Sequence, residues 1–295
     1  MRQKITVIGA GNVGASCAQR IAERDYANVV LIDGEEGRGQ RVGVDINVAA
    51  AVTGYAPNVT GTDNFEEVAG SEVVVIAIDA ADENPDAAAR VAAEVRDRAP
   101  DAVVIVSSNP LEGVCHAVYD VLCFPRERVI GMAGALHSAA LRMLLAADLG
   151  VSPRDVDAVV LGGHADTMVP LLSCATVAGI AIRKRLPGEL IDSAVRRARE
   201  AAEPREAAIA PAHAPAAALV EMVDAIALDQ RRVVPCTALC KGEYGLEEIF
   251  VGLPCKLGHS GIEEIVQMDL DDDERKRLAE SARAVEQIVG ARARV

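Results

Sequence analysis

The stretch from Ile5 to Asp33 restricts the fold more than any other part of the chain. An apolar run, Ile5-Thr6-Val7-Ile8, passes at once into Gly9-Ala10-Gly11-Asn12-Val13-Gly14, a G-x-G-x-x-G turn, and then into an alanine-containing helical segment. A second apolar run, Val29 to Ile32, ends on Asp33. Strand, glycine turn, helix, strand and terminal acid in this order form the layout of a dinucleotide site. Gly9 permits the tight turn, Gly11 lets the backbone approach a diphosphate, and Gly14 lets the helix pack against the strand. Asn12 and Val13 open that helix, and its free N–H groups face the phosphate. Asp33 stands where a carboxylate accepts hydrogen bonds from an adenosine ribose. Asp33, Glu35 and Glu36 would repel a 2′-phosphate, so NAD is favoured over NADP, with Arg38 as the one opposing charge.

Composition narrows the function classes. The chain has 295 residues, enough for two modest domains with ample core. Acids outnumber Lys plus Arg by 44 to 30, a net charge of −14, which argues against nucleic acid or an anionic membrane surface as partner. No apolar run is long enough to span a bilayer, and Met1 leads within a few residues into a core strand, so no signal peptide is expected. Seven cysteines, mostly inside apolar stretches, fit buried free thiols in a reducing cytoplasm. Cys236 and Cys240 sit in a segment that reads as a strand, which separates them and disfavours a shared metal.

The first half alternates β-branched runs with alanine-rich segments. Strands are expected at Ile5–Ile8, Val29–Ile32, Val73–Ile76, Val103–Val106 and Val129–Ile130, and helices at 12–24, 36–52, 86–98 and 112–120. This alternation predicts an α/β fold, a Rossmann-type doubly wound parallel sheet covered on both faces. The second half changes character. It reads as a helix near 138–149, a strand Val156–Leu161, a charged helix at 187–203, and a further helix opened by the Ala/Pro stretch before residue 214. Strands at Arg232–Leu239 and Glu248–Leu257 follow, and then a C-terminal helix. The expected division is a cofactor-binding domain over 1–130 and a C-terminal α/β substrate domain over 131–295.

Three further segments carry chemistry: SSNPLEGV around Asn109, ERVIGMAGALHSAALR, and LGGHADTMVPL around His164. With the glycine motif and RVVPCTALCKGEYGLEEIFVGLPCKLG, they occur in family order along nearly the whole chain. The chain resembles the malate/lactate dehydrogenase family, and within it the lactate-dehydrogenase-like malate dehydrogenases. The resemblance implies that His164 is the proton-transfer histidine, a task that suits imidazole, whose ordinary pKa lies near neutrality. It also implies that Asn109 hydrogen-bonds the reacting oxygen, that Ser107 sits near the nicotinamide, and that the chain forms a dimer or tetramer.

The same resemblance exposes three departures. The family segment before the histidine reads Leu-Asp-x-x-Arg; the acid orients the imidazolium and the arginine grips the substrate carboxylate. Here those positions are His137 and Ala140. After the third strand the family has a mobile loop with arginines that close over substrate, whereas this chain has a shorter connection containing Asp79, Asp82, Glu83 and Asp86. Ala210 or a neighbour replaces a small hydroxyl residue. Removing the partner of a buried carboxylate costs about 2–5 kcal/mol, and loss of the acid behind the histidine costs more in rate. Two functions remain open: a divergent NAD-dependent oxidoreductase acting on a small hydroxy compound, with weak malate or lactate turnover, and a non-catalytic NAD-binding or assembly subunit. A metal site built from His137, His164 and His213 is a weaker idea, and no metal is expected.

Overall fold

The computed structural model describes residues 2–56, 58–78, 85–202 and 212–292. Asp79, Asp82, Glu83 and Ala210 lie outside the described residues. The chain forms two compact units, each assembled from separate stretches of sequence. The first comprises Met1–Met132, Ala208–Arg232 and Leu257–Glu263; the second comprises Ala133–Ala207, Val233–Lys256 and Glu264–Val295.

In the first unit six strands lie in one parallel sheet. They are β1 (Gln3–Ile8), β2 (Ala27–Ile32), β3 (Asn58–Thr62), β4 (Val73–Ile76), β5 (Val103–Val106) and β6 (Val129–Gly131), in the spatial order β3-β2-β1-β4-β5-β6. Ile5 pairs with Val29 on one side and Val73 on the other, which makes β1 central. Helices α1 (Asn12–Glu23), α2 (Arg38–Thr53), α3 (Pro85–Arg98) and α4 (Leu111–Leu122) connect the strands. A parallel strand covered on both faces must be apolar throughout, and Ile5, Val7, Val73 to Ile76 and Val104 to Val106 are fully buried. Thr6, equally buried, satisfies its hydroxyl against Ser71 Oγ at 2.7 Å. The strand order reverses direction between β1 and β4, and the carboxyl ends of the strands at such a switch point are where open α/β sheets bind ligands.

The second unit begins with α5 (Gly134–Leu149) and continues through β7 (Val156–Asp157), β8 (Val160–Gly162), β9 (Met168–Pro170), β10 (Thr176–Val177), β11 (Ile180–Ala181) and α6 (Gly188–Ala202). Helix α7 (His213–Ala227) returns to the first unit. Strand β12 (Arg232–Lys241) neighbours β13 (Glu247–Gly258), a tight turn leads to β14 (Gly261–Ile265), and α8 (Asp272–Arg292) closes the chain. Strand β8 pairs antiparallel with β9, Leu161 opposite Val169, and with β13, Gly162 opposite Gly252. Leu141, Leu145, Val160, Met168, Ile191 and Ala194 pack into one core cluster.

Three details differ from the sequence reading. The strand expected over 156–161 is split into β7 and β8, which join different sheets. Helix α5 starts at Gly134 rather than at 138, which places His137 inside its first turn. Strand β3 was not anticipated, because Val59 is its single buried residue and it includes Gly61. No described helix is long and apolar enough to cross a membrane.

Within the first unit α7 packs against α1 and β4. The Tyr26 hydroxyl donates to Asp224 Oδ1 at 2.7 Å, Arg24 lies 3.2 Å from Asp224 Oδ2, and Gln3 Nε2 donates to the Ala227 carbonyl at 2.5 Å. Burial and the neighbouring Asp224 carboxylate push the Tyr26 phenol above its ordinary pKa, so it remains a donor at all working pH values. Tyr26→Phe is expected to lower unfolding stability by about 1–3 kcal/mol, because a carboxylate loses a hydrogen bond in a half-buried setting. Urea denaturation followed by circular dichroism measures the change.

Candidate active site

The glycine motif forms the elbow between β1 and α1. Gly9 adopts φ +107°, and a Cβ there would drive into the Ala77 carbonyl; a Cβ on Gly14 would collide with the Gly9 carbonyl. Gly11 caps α1 without a side-chain hydrogen bond, so no side-chain cap blocks the helix start at Asn12 and Val13. Asp33, 7% exposed at the end of β2, accepts from Ala10 N at 2.6 Å and from Glu35 N at 2.9 Å. Those two bonds hold the carboxylate beside the elbow. A cleft of about 610 Å³ opens there, lined by Gly9, Asp33, Phe65, Ile78 and Val91 among others, with an apolar side suited to a purine and a polar rim at Asp33. The residues therefore fit the adenosine–diphosphate half of a dinucleotide. Arg38 sits 3.9 Å from Asp33 Oδ2 and 3.7 Å from Glu35 Oε2, so its charge is already opposed by two carboxylates.

Ser107 and Asn109 follow the carboxyl end of β5. Ser107 is half-buried, and its N–H donates to the Ile76 carbonyl at 2.9 Å; Asn109 is exposed and precedes Pro110. Ser108, between them, is buried and accepts from Ile78 N at 2.9 Å, tying this loop to the end of β4. Sequence reasoning passed over Ser108, for which only its place beside Ser107 gave a signal.

His164 lies in the second unit, after β8 and before a short 3₁₀ turn, Ala165–Thr167. Gly162 adopts φ +83°, and a Cβ there would come within 2.7 Å of both Ser281 Oγ and the Thr167 carbonyl. The Gly163 N–H donates to Ser281 Oγ at 2.9 Å, and Thr167 Oγ1 donates to the His164 carbonyl at 3.0 Å. The Gly-Gly-His sequence is therefore a turn compressed against α8. Ser281, near the middle of α8 and remote in sequence, gave no signal of this role.

His137 and His164 meet: their ring centroids are 4.9 Å apart with a 39° interplanar angle. His137 is 3% exposed, and its Nε2 is buried with no hydrogen-bond partner among the described residues. Burial, and secondarily the His164 imidazole, hold the His137 pKa down at about 3, so it is neutral at physiological pH. Ala140, three residues on, is half-buried on α5 and carries no charge. His213 is exposed at the start of α7. Among the described residues no group of three or more His, Cys, Asp or Glu side chains is placed to hold a metal ion. Arg199, also unanticipated, places Nη2 3.4 Å from the Met168 carbonyl, just beyond the 3₁₀ turn that follows His164.

Residues 3–131 match the lactate/malate dehydrogenase NAD binding domain, and residues 135–291 match the lactate/malate dehydrogenase alpha/beta C-terminal domain. The chain belongs to the lactate/malate dehydrogenase family. It is 40% identical to the malate dehydrogenase of Thermomicrobium roseum, covering 99% of this chain and 98% of the relative, and 42% identical to that of Chloroherpeton thalassium, covering 96% of each. Among solved structures, the malate dehydrogenase of Salinibacter ruber superposes with a TM-score of 0.94 at 38% identity, covering 99% of this chain and 98% of that one. The lactate dehydrogenase of Cryptosporidium parvum, complexed with lactic acid and NAD, gives 0.93 at 33% identity with 99% and 98% coverage. The NAD-binding domain of this family spans the glycine elbow and Asp33, and NAD is the cofactor.

The depressed His137 pKa has a stability consequence with a defined sign. In the unfolded chain this imidazole takes up a proton near 6.5, whereas in the folded protein it does so only near 3. The unfolded state therefore binds the extra proton between those values, and stability falls as pH drops from 6.5 toward 3. At about pH 5 the loss attributable to His137 is about 2 kcal/mol relative to neutral pH. His137→Asn should remove this part of the slope, as read from urea unfolding at a series of pH values.

Proposed function

We propose that the protein is an NAD-dependent oxidoreductase moving hydride between NAD and a small hydroxy compound, with residues 1–130 holding the cofactor and 131–295 the substrate. The observation that carries this reading is the histidine fixed by the Gly162–Gly163 turn and backed by a second, buried imidazole. When bound, NAD supplies the acceptor for hydride leaving the carbinol carbon. His164 accepts the hydroxyl proton as that carbon is oxidised and returns it in reverse. Asn109 donates its amide N–H to the reacting oxygen. Neutral His137 has an unused buried nitrogen beside His164, and as an acceptor it would hold one tautomer of that ring without adding a negative charge.

A neutral partner has a cost in rate. A carboxylate would stabilise the imidazolium that forms during the reaction, and an uncharged ring stabilises it far less. Ala140 offers a substrate carboxylate no cation. Malate is the first substrate to assay, because relatives about 40% identical bear that name, and its turnover is expected to be weak. A non-catalytic NAD-binding or assembly subunit is the second reading, favoured by the absence of an acid at position 137. Seven free thiols fit a reducing compartment such as the cytoplasm.

The two readings separate in one experiment. Under the first, some member of a panel of hydroxy acids, alcohols and amines reduces NAD, and His164→Ala lowers that rate about 100-fold or more while NADH affinity stays within about twofold. His137→Asp should raise kcat and move the pH profile upward. Tight NADH binding with background turnover across the panel leaves the second reading standing.

We also assign an exposed stripe on α2 to a contact with a second copy of the chain in a dimer or tetramer. Val44, Val48 and Val52 are 63%, 59% and 84% exposed, and their four-residue spacing places them on one helix face. Val48→Glu should shift sedimentation velocity toward the monomer without lowering the thermal midpoint of the monomeric species.

A further inference from the structure

The cleft beside the glycine elbow has a wall whose chemistry the family resemblance does not account for. Ala87, Arg90, Val91 and Glu94 on α3 line the same cavity as Gly9 and Asp33. Their spacing of three and four residues puts them on one helix face. The charged lining consists of Asp33, Glu35 and Glu94 against Arg38 and Arg90. All three acids already have a cationic neighbour, and Arg38 is itself opposed by carboxylates: Arg38 lies within 4 Å of both Asp33 and Glu35, and Glu94 pairs with Arg98 at 2.5 Å. Arg90 is exposed to the cleft and makes no ion pair among the described residues. Among the described residues it is the cation of this lining that pairs with no carboxylate.

A dinucleotide brings two negative charges to the Gly9 elbow, into a lining where acids outnumber arginines. The start of α1 contributes only about half a positive charge there. Guanidinium is well matched to diphosphate, because its planar fork donates two parallel hydrogen bonds to phosphate oxygens. We propose that Arg90 is the cationic contact for the cofactor's diphosphate, so that helix α3 supplies the counter-charge for NAD. The inference rests on this cleft being the NAD site. It makes cofactor affinity depend on a helical residue rather than on the connection that precedes α3.

Equilibrium titrations of the full-length wild type, Arg90→Ala, Arg90→Gln and Arg90→Lys test it. NADH binding is read from direct nicotinamide fluorescence, and ADP and adenosine binding from calorimetry. Arg90→Ala and Arg90→Gln are expected to weaken NADH and ADP by about 10- to 100-fold and to leave adenosine within about twofold. Arg90→Lys should recover part of the loss, and the alanine variant should show a shallower salt dependence than wild type. Unchanged ADP affinity in both neutral variants overturns the proposal. Equal losses for adenosine and ADP also overturn it, since they would mark Arg90 as a packing contact with the nucleoside. Failure of the wild type to bind NADH would overturn the cofactor site together with Arg90, an outcome distinct from a wild type that binds and a variant that binds equally well.

Discussion

The approach of α1 to β1 sets the terms for the rest of the first unit. The Gly9 carbonyl occupies the space that a side chain at residue 14 would need, so helix and strand meet backbone to backbone. That contact aims the start of the helix at the carboxyl edge of the sheet. It also brings Ala10 close enough for its N–H to reach Asp33 at the end of the adjacent strand. One carboxylate then links the two β-α turns, and the cleft between them takes its shape from backbone geometry more than from side-chain packing. A site shaped by backbone contacts needs less reordering when a ligand arrives, which lowers the entropy lost on binding.

The second unit solves a different problem, placing an imidazole in a turn without letting it wander. Two consecutive glycines, a serine from α8 and a threonine within the turn fix the backbone around His164. The ring itself leans on another imidazole held neutral by burial. Two histidines this close cannot both be charged at modest cost, so the pair presents at most one proton's worth of charge near neutrality. A carboxylate in the same position would favour the protonated ring.

Much of the first unit was legible in the chain because parallel strands leave a plain trace. Val73 to Ile76 and Val103 to Val106 are unbroken apolar runs, and both appear as strands at those residues. Strand β3 left no such trace: it lies at the edge of the sheet, alternates exposed with buried positions and contains a glycine. The run at 156–161 looked continuous because hydrophobicity does not record which sheet a residue joins, and β7 and β8 part company midway. The glycine elbow and Asp33 could be read from spacing alone, since each is required by local backbone geometry. Ser281 and Arg199 could not, because their partners are over thirty residues away or more and depend on tertiary packing. Arg90 stayed hidden for a similar reason: an arginine on a solvated helix looks ordinary until the cavity beside it is visible.

Helix α7 carries a consequence for dissecting the molecule. Although it follows most of the second unit in sequence, it covers the flank of α1 and takes hydrogen bonds from Gln3 and Tyr26. A fragment stopped after Met132 would leave Cys17 and Ile21, now fully buried, beside a missing neighbour. Expressing the N-terminal half alone would therefore yield a sticky, incomplete piece. A circularly rearranged gene that joins the α7 segment to the first 132 residues is the natural route to a minimal nucleotide-binding module.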